Sequence, residues 1–318
     1  MKRLRIGYLL VAALMLAAPL WAYVTSRSLS NTGTVVQQRW KSAVSIPYRI
    51  NPTKGANVTG SGDQSAIFRA SFASWQALTT ATISFAEGAT TAATVKPGFD
   101  QVNLITSNIT ASDYASSALG LTIVYSFDQG GVVDEFGRAI DFPGQIVEAD
   151  IMFNPSTQFS IDAATPANRI DLQSVATHEI GHFLGLDHTS LLSSVMFPTL
   201  TDGASYARTL SADDIAGIST IYPSASFATK GSLTGTVRTT GNVAVYGAIV
   251  TAVNSNGQPV ASAITDTTGK YTIAGLDAGS YTVYAEPLDQ PITASNVSTL
   301  ARINPGATVF TNFTTRFR

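Results

Sequence analysis

The sequence predicts an α+β fold followed by a small all-β sandwich, and three observations carry that expectation. Apolar residues recur at helical spacing around Trp75 and again from Leu172 to Phe183. Short β-branched runs lie between and around these stretches. After Pro223 the chain changes to brief strand-like runs separated by Gly, Asn and Asp. With 318 residues, 45% of them hydrophobic and 13% charged, the chain can bury one large core and a second, smaller one.

Residues 1–22 read as a signal peptide: Lys2, Arg3 and Arg5 precede an apolar stretch from Ile6 to about Leu20, and Ala22 is a suitable cleavage point. An uncleaved anchor is the alternative, and the stretch is short for a bilayer. Either way the rest of the chain crosses a membrane, and no stable membrane insertion is expected after cleavage. The chain has no cysteine, so neither disulfides nor a lipid-modified cysteine are available, and export without disulfides suits a bacterial secreted, cell-surface or periplasmic protein. A net charge of −2 with no basic run beyond the N-terminus excludes nucleic acid as a partner.

Residues 23–39, rich in Ser, Thr and Gln, are expected to form a mobile leader. From Asp63 to Leu78, Phe68, Phe72 and Trp75 fall four and three apart and predict an amphipathic helix. Thr82 to Phe85 and Val102 to Thr106 read as strands. Asp128 to Gly144 is a loop by its Gly, Pro and Asp content. Asp171 is then a suitable N-cap for a helix whose apolar stripe is Leu172, Ala176, Ile180 and Phe183.

That helix carries the chemistry. All three histidines of the chain lie in HEIGHFLGLDH, His178 to His188. His178 and His182, four apart, stack on one helical face and can reach a single ion. Gly185 permits the backbone to turn back, and His188 follows as a third ligand. Three neutral nitrogens leave one tetrahedral position to water, the pattern of a catalytic zinc rather than a closed structural one. Glu179, beside the histidine row, is placed to take a proton from that water.

The motif resembles that of the metzincin metallopeptidases, H-E-x-x-H-x-x-G-x-x-H followed by a methionine turn. Met196 stands eight residues after His188, and Met196, Phe197 and Pro198 resemble the turn of the matrixin group. Astacins and serralysins place a tyrosine where Pro198 stands. Leu210 to Pro223, with Asp213 and Asp214, looks like the C-terminal matrixin helix; Ile46 to Asn51, Leu119 to Phe127 and Val147 to Asn154 look like its strands. The likeness covers about residues 40–223. It implies the metzincin zincin fold, a twisted mixed sheet with three helices and a zinc cleft, with His178, His182 and His188 as zinc ligands, Glu179 as general base and Met196 as a structural floor. It also implies that the aspartate pair can anchor a freshly cut N-terminus, ordinary helix-surface carboxylates being the other reading. Matrixins carry calcium in a loop comparable to 128–144, and Asp128, Asp134, Glu135 and Asp141 offer oxygen donors there. No calcium-loop spacing is visible, so a solvated acidic loop is the preferred reading. Three departures stand out: no cysteine latch, no histidine for a second zinc, and Leu200 where a tyrosine usually lines the specificity pocket.

Residues 224–230 are a linker by composition. Residues 231–318 resemble the carboxypeptidase regulatory-like (transthyretin-like) domains in Gly235 and Val237, Gly247 to Val250, Thr265 to Tyr271, and Leu276 to Tyr281. They show no catalytic constellation, which makes a spacer or a module for a surface or protein ligand the default reading; the tail from Pro291 to Arg318 is expected to add strands. The whole reads as a secreted zinc-dependent endopeptidase acting on proteins or peptides. The alternatives are a zinc-stabilised adhesion or binding protein that no longer turns over, against which the retained Glu179 argues, and a zinc hydrolase of non-peptide amides.

Overall fold

A computed structural model describes residues 24–42, 44–93, 99–114, 116–289 and 291–317; the expected signal peptide lies outside them. The first part of the chain forms β1 (Arg27–Leu29), β2 (Val35–Gln37), β3 (Ile46–Ile50), β4 (Val58–Thr59), α1 (Gln64–Gln76), β5 (Phe85–Glu87), β6 (Leu104–Thr106), β7 (Gly120–Ser126), β8 (Val132–Val133), β9 (Ala139–Ile140), β10 (Ile146–Phe153), β11 (Phe159–Ser160), β12 (Ile170–Asp171), α2 (Leu172–Phe183) and α3 (Ala212–Ile221). The main sheet has the order β5-β3-β6-β10-β7. All its neighbours are parallel except β7, which runs antiparallel to β10 along the edge. This is the mixed sheet with three helices that the sequence predicts.

Burial follows the predicted stripes. Phe68, Phe72 and Trp75 of α1 and Leu172, Ala176, Ile180 and Phe183 of α2 are all at most 2% exposed and meet in one core with Ile50, Ile105 and Ile151. Each such large side chain contributes about 1.5–3 kcal/mol of transfer free energy. The Asp171 cap falls where predicted, its side chain accepting from Ser174 N–H, and Asp63 caps α1 in the same way by accepting from Ser65 N–H; each satisfies a helix-end donor. The end of α2 is held just as firmly, because Trp40 Nε1 donates to the Phe183 carbonyl (2.7 Å) and the Tyr222 hydroxyl to that of Leu184 (2.8 Å). The strand expected over Thr82 to Phe85 instead begins at Phe85, since Thr82 gives its N–H to the Tyr222 carbonyl at the end of α3.

Where composition suggests a mobile leader, the structure places a hairpin. β1 pairs with β2, Thr25 bridges to Leu186, and Asp187 N–H donates to the Val24 carbonyl (2.7 Å). The segment is polar in side chains, but its attachment is made by backbone groups, which composition does not report.

The second part contains β13 (Gly231–Thr236), β14 (Ile249–Asn254), β15 (Pro259–Ile264), β16 (Lys270–Leu276), β17 (Tyr281–Glu286), α4 (Ser298–Ile303) and β18 (Arg316–Phe317). β15-β14-β17-β18 form one antiparallel sheet and β13-β16 another, packed over Val250, Ala261, Ile273 and Leu276. The tail meets the sequence reading in part: among the described residues Arg316–Phe317 joins the sandwich sheet, while Val297, Leu300 and Ile303, three apart, bury one side of α4 and the turn before it.

The two parts share core. Ala216 of α3 packs with the sandwich residues, and Asp213, 3% exposed, accepts from Ser262 N–H on β15 (2.8 Å). Asp213 is thus committed to the C-terminal domain rather than to a chain terminus. Burial pushes its carboxyl up to about 7, aided by the neighbouring charge of Asp214 and opposed by the Ser262 N–H. An acid raised in the folded state stabilises below its unfolded value and loses that contribution as pH rises towards the folded one. In the metal-free chain Asp213 is therefore expected to contribute a loss of stability as pH rises from about 4 to 7, with a slope of up to about 1.4 kcal/mol per pH unit. In thermal unfolding with chelator, the stability of the parent relative to Asp213→Asn should fall as pH rises over this range; identical slopes would refute this.

Candidate metal centre

The cluster is built by α2 and the turn that ends it. His178 and His182 project from one face of α2, opposite the buried Ile180 and Phe183. Gly185, at φ +98°, then reverses the chain; a Cβ there would lie 2.2 Å from the Gln38 carbonyl oxygen, so both the conformation and the space require glycine. The reversal brings His188 back. Its Nε2 lies 3.2 Å from Nε2 of His178 and 3.2 Å from Nε2 of His182.

Each Nδ1 meets a backbone carbonyl: His178 with Val195 (2.7 Å), His182 with Leu186 (2.9 Å) and His188 with Asn296 (2.6 Å). A carbonyl only accepts, so in each neutral ring the proton sits on Nδ1. The three Nε2 atoms then face one another as bare lone pairs, which repel at 3.2 Å unless a cation lies between them. Tetrahedral ligands 2.0–2.1 Å from a zinc ion stand about 3.3 Å apart, so the spacing fits that ion. Burial pushes His178 well below its ordinary value and His182 down to about 3, which keeps both rings neutral and able to ligate. Among the described residues these three histidines form the one cluster of three or more His, Cys, Asp or Glu side chains that could hold a metal ion.

Glu179 is 4% exposed and turned towards β7, where the Thr122 hydroxyl donates to its Oε2 (2.6 Å). Burial pushes this carboxyl up to about 7, and the Thr122 bond opposes the rise. Met196 lies beneath the helix: a Cβ on Gly181 would stand 2.2 Å from its Sδ. The turn that carries Met196 is held by Asp214, which accepts from the N–H groups of Val195 (2.9 Å) and Met196 (3.2 Å) and from the Ser194 hydroxyl. A cleft of about 650 Å³ runs along α2 and is bordered by β7.

All residues singled out in the motif are therefore brought together. Thr122, Asp214 in its anchoring role, Gly181 and Asn296 were not found from the sequence. Gly181, inside the HEIGH stretch, is the one with a visible signal, since a glycine in mid-helix implies a close neighbour. The acidic loop does not assemble: Asp134 is taken by Arg138 and two backbone N–H groups, and Asp141 pairs with Lys41.

Residues 39–223 match the matrixin peptidase family and residues 232–315 the carboxypeptidase regulatory-like domain. A metalloendoproteinase of Arabidopsis thaliana, 2-MMP, is 34% identical over 125 residues, 33% of each chain. Matrilysin of Rattus norvegicus is 56% identical over 48 residues, 15% of this chain and 18% of the relative. Stromelysin-3 of Xenopus laevis is 42% identical over 83 residues, 26% of this chain and 16% of the relative. These alignments span a third or less of each relative's length. The family match, in contrast, covers residues 39–223, more than half of the sequence, and includes all three histidines and Glu179; the chain belongs to the matrixin family.

Proposed function

We propose that this protein is a secreted zinc-dependent endopeptidase in which His178, His182 and His188 hold the ion and Glu179 is the general base. The observation that carries the reading is the convergence of three imidazoles, each with its Nδ1 against a backbone carbonyl and its Nε2 turned inward, beside a buried carboxyl on an open cleft. Zinc, when bound there, supplies a Lewis acid that acidifies a water molecule and stabilises the developing oxyanion.

The chain's own groups do the rest. Glu179, raised towards neutrality by burial, takes the proton of the attacking water and delivers it to the leaving amine. Thr122 fixes Oε2 of that carboxylate and so limits its rotation. Among the described residues the strand paired with β7 is β10, and residues of β7 border the cleft. An extended substrate can add there as a further strand, its backbone amides meeting those of β7. Val175, Leu200 and Ala207 give the cleft an apolar wall near the start of α2, suited to an apolar side chain of the substrate. Secretion rests on residues 1–22. No helix among the described residues is long and apolar enough to cross a membrane.

The test is degradation of casein or gelatin by the full chain with and without a chelator. Cleavage should stop with the chelator and return with zinc. Cleavage unaffected by metal removal, or purified protein without stoichiometric metal, would overturn the reading.

A further inference from the structure

Two of the three histidines lean on carbonyls of their own domain, Val195 and Leu186. The third leans on Asn296, which is 108 residues away in the C-terminal domain. We propose that this domain is a working part of the metal centre. In this proposal the Asn296 carbonyl, delivered by the segment from Thr293 to Ile303, is the positioning group that fixes the ring and tautomer of His188, so that zinc affinity depends on the docking of that segment. The inference rests on the peptidase reading and deepens it.

His188 needs such a partner more than the other two. It lies beyond α2, where no helix dictates its direction; the bonds from His188 N–H to Asp187 Oδ1 (2.8 Å) and from Thr189 N–H to the Met196 carbonyl (3.0 Å) fix its backbone but not its ring. An acceptor at Nδ1 sets the tautomer that turns the Nε2 lone pair inwards and stops rotation of the ring.

Delivery of that acceptor is elaborate. The buried Asp187 carboxylate accepts from Thr299 N–H (2.7 Å) and the Ser298 hydroxyl (2.9 Å) while also holding His188 N–H, so one side chain grips both the ligand and the start of α4. Thr299 Oγ1 donates to the Thr25 carbonyl (2.9 Å) and accepts from Arg27 N–H (3.2 Å), tying α4 to the strand that bridges to Leu186. Arg302 Nη1 donates to Gln38 Oε1 (2.9 Å). Asn296 Oδ1 closes its own turn by accepting from Thr293 N–H (2.9 Å) and Oγ1 (3.0 Å). Beneath this, Val297 and Leu300 share a core with Val24 of the N-terminal segment and Phe197 of the peptidase domain. A spacer domain would need none of these contacts.

The same segment walls the cleft. Asn296, Ser298 and Arg302 border it at the end of α2, opposite the Tyr206–Arg208 turn, whose Arg208 pairs with the Asp171 cap at the other end.

The test uses the full chain: the parent, the double variant Asn296→Ala/Thr299→Val, and Asn256→Ala in an exposed turn of the sandwich as control. Zinc dissociation constants come from competition with a chromophoric chelator, and ligand geometry from the visible spectrum after cobalt substitution. The double variant should bind zinc about tenfold to a hundredfold more weakly, with shifted cobalt bands, and the control should match the parent. Parent-like zinc binding and cobalt bands in the double variant would overturn the proposal. If that variant does not fold, nitrogen-15 NMR of the zinc-loaded parent decides instead: the His188 Nδ1 proton should exchange slowly, and exchange as fast as in an exposed imidazole would overturn it. A parent that neither binds zinc nor cleaves casein sinks the peptidase reading. A parent that does both, beside an unchanged double variant, sinks this inference alone.

Discussion

Replacing Glu179 by Gln is expected to lower kcat/KM by about three to four orders of magnitude, the upper part of the range for loss of a general base, while zinc stays bound in equimolar amount. Glutamine has the shape of the glutamate and can still accept the Thr122 hydroxyl, so the cleft keeps its geometry; what disappears is the group that holds a proton and passes it on. The variant also separates catalysis from stability. The Glu179 carboxyl is raised to about 7 by burial, so at neutral pH the folded chain carries the cost of a partly ionised buried acid that the amide does not. Metal-free Glu179→Gln should therefore unfold at a temperature no lower than the parent. Steady-state cleavage, metal analysis and thermal unfolding of the two proteins together check this. Parent-like turnover would remove Glu179 from the mechanism, and a large loss of zinc would show that the residue acts on the metal rather than on the proton.

The second large effect is expected from Gly185→Ala. A side chain in the left-handed region costs about 1–2 kcal/mol. The added Cβ would also stand 2.2 Å from the Gln38 carbonyl, forcing apart a contact that keeps the N-terminal hairpin on the end of α2. Adding the lower part of the 1–3 kcal/mol range for overpacking gives a total loss of about 3 kcal/mol. The damage falls between His182 and His188, and the neighbouring Leu186 carbonyl is the partner of His182, so zinc affinity should fall together with stability. Denaturant unfolding and zinc titration measure the two. A loss below about 1 kcal/mol with unchanged zinc binding would mean that the turn is more pliant than its geometry implies.

Much of the site was legible because helical periodicity is local. The four-residue spacing of His178 and His182, the opposing stripe of Ile180 and Phe183, and the Asp171 cap each concern neighbours on one helix, and the structure places them as the spacing requires. Gly185 was legible for a similar reason, since a turn-permitting residue between two ligands has few other uses. The N-terminal hairpin and α4 were not legible, each for its own reason. Val24 to Gln37 is attached by backbone pairing, and α4 is only six residues long, too short for periodicity to outweigh the β-rich sequence around it.

The sequence by itself determined the α+β class, the sandwich that follows, the three histidines and the carboxylate beside them, because each is encoded in side-chain type and spacing along one element. Only the tertiary structure decided that Asp214 holds the methionine turn, that Asp213 grips the sandwich, that Thr122 fixes Glu179 and that Asn296 supports His188. The physical reason is that these contacts join segments distant in the chain and use backbone groups, or hydroxyl and carboxylate side chains common on any surface. Every residue has a carbonyl, so nothing in its side chain announces which one will meet an imidazole once the fold has closed.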